Sequence, residues 1–85
     1  MQFVLNHRHA PDQCGTAFAA WRGFESPLRH SSALATCGGA PDRDSAEHLL
    51  IWTVDAESEA KAIALLPPWL AERTEVRLVG EVAIP

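Results

Sequence analysis

Four apolar side chains in a row, Leu49-Leu50-Ile51-Trp52, constrain this chain more than any other feature. A run that short, followed by Thr53-Val54 and then a polar stretch, fits a strand covered on both faces better than a helix with one apolar stripe. It predicts a central strand over residues 48–54. Two further segments alternate with the strand period of two. Over residues 2–9, Phe3, Leu5, His7 and His9 share one face, and Val4, Asn6 and Arg8 share the other. Over residues 74–84, Val76, Leu78, Val82 and Ile84 alternate with Arg77, Val79, Glu81 and Ala83, and Gly80 marks a bulge. A shorter strand is expected over residues 33–37.

Between these strands lie two helical signals. Pro11 suits a first helical position and Asp12 the positive helix end. Cys14, Phe18 and Trp21 then recur at helical spacing beside Ala17, a stripe expected to face the core, and Gly23 ends the helix. Ser58 is a good N-cap, with Glu59 in the first turn after it. Ala60, Ile63, Ala64 and Leu65 or Leu66 are expected to supply the second buried stripe. Pro67-Pro68 breaks that helix, and a short turn restarts through Trp69 to Arg73. Residues 38–46 read as a polar loop.

The order strand, helix, strand, strand, helix, strand predicts one α+β domain over residues 1–85: a ferredoxin-like βαββαβ unit, with a four-stranded antiparallel sheet and two helices on one face. The other sheet face, with Val4, Val79, Ala83 and one side of the third strand, is apolar enough to call for a cover. A homodimer joined sheet to sheet is expected. The net charge of −4 and seven scattered basic residues argue against nucleic acid. No apolar run approaches the roughly 20 residues of a membrane helix. Residues 1–5 are too short for a signal peptide, and two cysteines make no secreted disulfide framework, so a cytoplasmic protein is expected.

Two local stretches, His7-Arg8-His9-Ala10-Pro11-Asp12-Gln13-Cys14 and Leu65-Leu66-Pro67-Pro68-Trp69-Leu70-Ala71-Glu72-Arg73-Thr74, together with the element order, resemble small bacterial proteins of the ferredoxin-like, dimeric α/β-barrel type. The resemblance covers nearly the whole chain and implies a ferredoxin-like protomer that dimerises. That superfamily includes isomerases, monooxygenases and plain binding proteins, so the resemblance implies no single activity. The histidines near the end of the first strand also make the chain look similar to small nickel-binding proteins of this fold.

The sharpest chemical feature is His7-x-His9 followed by Cys14. Residues two apart on a strand project together, and Cys14 starts the next helix. His30 precedes the second strand and is expected at the same sheet edge. His7, His9, Cys14 and His30 are therefore the candidate metal ligands, a set that suits zinc, nickel or copper(II) better than magnesium or calcium. The commoner reading makes Cys14 a small hydrophobe on the apolar stripe. Cys37 and His48 form a second pair, too few ligands for a tight site. A Cys14–Cys37 disulfide is not expected, because the assumed topology sets these residues at opposite ends of the sheet. Cys14 beside His7 or His9 also suits an activated nucleophile.

A cleft with aromatic walls and with His7, His9 and Arg29 at its mouth is the candidate small-ligand site, and Trp69 is the ring expected at a surface or interface. The favoured function is a small binding protein, for a transition metal such as zinc or nickel or for a small ligand, near the end of the first strand. Two alternatives stand beside it. One is a dimeric α/β-barrel enzyme of isomerase or oxygenase type with a histidine base. The other is a protein-interaction module.

Overall fold

The computed structural model describes residues 1–36 and 47–85. Its strands are β1 (Gln2–His9), β2 (Leu34–Ala35), β3 (His48–Asp55) and β4 (Thr74–Val79). They form one antiparallel sheet in the order β2-β3-β1-β4. β1 and β3 are the inner strands; a central place was expected for residues 48–54 alone. One face carries the core: Phe3 and Leu5 from β1, and Leu50, Trp52 and Val54 from β3. His7, His9 and His48 are buried on this same face. The alternation expected for residues 2–9 is the alternation observed.

Short helices cover that face. A 3-10 turn at Pro11–Gln13 leads directly into α1 (Cys14–Ala19). The Gln13 side chain accepts the Ala10 N–H at 2.9 Å, which fixes the exit from β1 and so the position of Cys14. Gly23, at φ 72, ends the helical stretch in a left-handed conformation that costs glycine little. α1 is rolled relative to the expected stripe. Ala17 is its fully buried contact, whereas Phe18 is 52% exposed.

α2 (Glu59–Ile63) begins at Ser58, whose hydroxyl accepts the Lys61 N–H at 3.2 Å. Its buried residue is Ala62, not Ala60 or Ala64, which face out. Leu66, just beyond the helix, joins the core. α3 (Pro68–Ala71) restarts after Pro67 and buries Leu70. Trp69 is not an open surface ring: it packs against the core, and its far face carries the Arg73 guanidinium 4.0 Å from the ring centroid.

β4 stops at Val79, short of the expected Ile84. The register explains why. Val79 pairs with Gln2, the first residue of β1, so the chain beyond has no strand to pair with. Val82 and Ile84 are accordingly exposed rather than part of a sheet. β2 is also shorter than expected within the described residues. Cys37 and the polar loop at 38–46 lie outside them.

Candidate metal centre

The register of β1 and β3 decides what the site contains. His9 sits directly opposite His48. The end of the first strand therefore meets the start of the third, and α1 delivers Cys14 to the same corner. Cys14 Sγ lies 3.0 Å from His48 Nδ1 and 3.4 Å from His9 Nε2. These three ligand atoms all fall within 4.8 Å of one another. In a tetrahedral zinc site, bonds of about 2.0–2.1 Å to nitrogen and about 2.3 Å to sulfur place ligand atoms roughly 3.3–3.6 Å apart. The sulfur-to-His9 edge thus matches a coordinating geometry, and the sulfur-to-His48 edge would have to open by about half an ångström.

Behind His9 stands His7. Its Nε2 lies 3.0 Å from His9 Nδ1. Its Nδ1 faces the Leu70 carbonyl at 3.3 Å and the Thr74 hydroxyl at 3.3 Å. Thr74 donates its own proton to the same carbonyl at 2.6 Å. A carbonyl can only accept. That one constraint orders the whole chain of contacts. His7 carries its proton on Nδ1 and donates it to Leu70, so its Nε2 is a lone pair. His9 must then donate from Nδ1 to His7, and its own Nε2 is a lone pair aimed at Cys14. A ligating histidine held in its tautomer by a partner on the other ring nitrogen is the usual outer-shell arrangement of a metal site.

The electrostatics favour the same protonation states. Burial lowers the His7 pKa to about 4; the Leu70 carbonyl opposes this, while His9 and Arg73 add to it. His9 is likewise lowered, first by burial and then by His48. Both imidazoles are neutral at pH 7, the state a metal requires. A surface depression of about 390 Å³, lined by Arg8, His9, Gln13, Glu47 and Arg73 among others, gives access to His9.

The expected ligands separate into three positions. His9 and Cys14 converge, with His48 as the neighbour that the sequence had coupled to Cys37 instead. His7 stands behind His9. His30 lies elsewhere. It lines a cleft of about 480 Å³ beside Arg29, with Trp21, Leu50 and Trp52 beneath. That cleft is the aromatic-walled one, but its basic residues are Arg22, Arg29 and His30; His7 and His9 are not among its lining residues. Trp69 faces the His7 ring, with centroids 6.0 Å apart.

The signal that identifies His48 was present in the sequence. In an antiparallel β1–β3 pair, the residue that opens β3 must lie near the residue that closes β1. The expectation that Cys14 and Cys37 lie at opposite ends of the sheet involves Cys37, which is outside the described residues. No protein-family model matches the chain, and no curated protein or solved structure matches it either.

Proposed function

We propose that this protein binds a transition-metal ion, zinc in the first instance, through His9 Nε2, Cys14 Sγ and His48 Nδ1. The observation that carries the reading is the convergence of these atoms together with a tautomer chain that leaves the His9 lone pair pointing among them. Two imidazoles and a thiolate suit zinc, nickel or copper(II). His7, Leu70 and Thr74 act as the outer shell. The strand order and the helices on one face support the ferredoxin-like reading of the protomer. Val4, Leu34, Leu49, Ile51 and Val79 on the opposite face support pairing with a second copy.

Metal titration of protein stripped with chelator is the test. Zinc should bind at one equivalent per chain. Cobalt(II) should give a thiolate-to-metal charge-transfer band together with intense d–d bands of a four-coordinate site. Cys14→Ser should abolish the charge-transfer band, and His9→Ala or His48→Ala should abolish tight binding. Failure of wild-type protein to bind zinc, nickel or cobalt at micromolar concentration sinks the reading.

The 3.0 Å contact between Cys14 Sγ and His48 Nδ1 also favours a second reading, a thiol activated by histidine. Iodoacetamide separates the two. A nucleophile is alkylated quickly whether or not zinc is present, whereas a ligand thiolate is protected by stoichiometric zinc. His7, with a pKa of about 4, is a weak base at neutral pH, which counts against a role for it in general base catalysis.

A further inference from the structure

The cleft that holds Arg29 and His30 is separate from the histidine–cysteine cluster, and its make-up is unusually one-sided. Its floor is apolar: Trp21 and Trp52, with centroids 6.0 Å apart, and Leu50. Leu28 and the exposed Phe18 flank it. Its charged lining is entirely basic, from Arg22 and Arg29, with His30 beside them and no carboxylate. This occurs in a chain whose acids exceed its Lys and Arg by four. The four ion pairs among the described residues use Arg8, Lys61, Arg73 and Arg77. Arg22 and Arg29 have no ion pair or side-chain hydrogen bond with any described residue.

The local backbone supports the arrangement. His30 adopts φ 67, the one left-handed non-glycine residue among those described. Such a conformation is strained for a residue with a side chain and persists only where its surroundings hold it. The turn is pinned. Ser26 donates its hydroxyl proton to the Leu65 carbonyl at 2.6 Å, and the Leu28 and Arg29 N–H groups bond back to Ser26. Arg29 and His30 are therefore presented at the cleft by a tied turn, not by a loose connector.

We infer that this cleft is a second binding site, for a small carboxylic acid with an apolar body, the rings and Leu50 taking the body and Arg22 and Arg29 the carboxylate. A volume of about 480 Å³ suits such a molecule. A guanidinium fork binds a carboxylate in two parallel hydrogen bonds, which gives orientation as well as attraction. The two sites are neighbours along β3, where His48 opens the strand and Leu50 and Trp52 follow on the same face. The cleft uses none of the metal ligands, so its occupancy does not depend on the metal.

Calorimetric titration with decanoate and with naphthalene-2-carboxylate, each against its neutral carboxamide, tests the assignment. The tryptophan indole N–H resonances are followed in parallel. At least one acid should bind at submillimolar concentration, at least tenfold more tightly than its amide. The Trp21 and Trp52 resonances should shift and that of Trp69 should stay. The double variant Arg22→Gln/Arg29→Gln, both on the surface of the cleft, should weaken the acid at least tenfold while leaving the amide unchanged and the circular dichroism intact. The measurements are run with zinc and again with chelator, and binding is expected in both. Absence of binding by both acids up to millimolar concentration overturns the inference. So does equal affinity for acid and amide, or an unchanged affinity in the double variant.

Discussion

At the scale of single residues, His7 is the most consequential side chain that touches neither solvent nor the thiol. Its folded pKa of about 4 lies below the usual 6.5. Between those values the unfolded chain takes up a proton that the folded chain refuses. The stabilising contribution is complete above pH 6.5, diminishes as pH falls and is gone below about 4. The slope approaches about 1.4 kcal/mol per pH unit for one fully differential site, and His9 adds in the same direction. Urea denaturation of chelator-treated protein at pH 7.5 and pH 5 should therefore show a large loss at the lower pH. His7→Gln should flatten that dependence, and a slope equal to wild type counts against this role. In the metal-loaded protein the same variant should lower zinc affinity 10- to 100-fold, the ordinary cost of removing an outer-shell partner. A fall in stability with no change in zinc affinity would reduce His7 to a core residue.

At the scale of elements, the helices are too short to stand alone and depend on their ends and their contacts. Ser58→Ala removes the cap on α2 and should cost about 1 kcal/mol in urea denaturation. Zinc affinity should be unchanged, because α2 holds no ligand. Gly23→Ala forces a Cβ into left-handed backbone at the end of the first helical stretch and should cost about 1 kcal/mol. Here the sequence was informative where local chemistry decides and silent where tertiary fit decides. The cap at Ser58 and the alternation along β1 were legible because each depends on a few adjacent residues. The roll of α1 onto Ala17 was not, because it follows from tertiary packing and not from the helix's own spacing. The end of β4 was not either, because it is set by the length of the strand beside it and not by its own alternation. The cluster was half legible: strand spacing pairs His7 with His9, but only the antiparallel register supplies His48.

At the scale of the whole molecule, the described residues form a sheet with helices over one face and none over the other, bare face. Among the described residues no helix is long and apolar enough to cross a membrane. The bare face places Leu34 opposite Ile51, with Leu34 74% exposed. If a second copy covers this face, light scattering should give twice the 9.3 kDa chain mass. Ile51→Lys should then return the protein to a monomer without loss of zinc. A wild-type monomer at high micromolar concentration excludes the pairing.

The pairing of His9 with His48 has one more consequence. A slip of one residue between β1 and β3 would turn Phe3, Leu5, His7 and His9 outward together, because strand faces alternate. Burial of Phe3 and Leu5 opposes that slip; a slip of two residues would keep the faces but still part His9 from His48. If the corner binds metal as proposed, capture would act as a proofreading step on strand alignment, accepting the chain only when both inner strands have met in step.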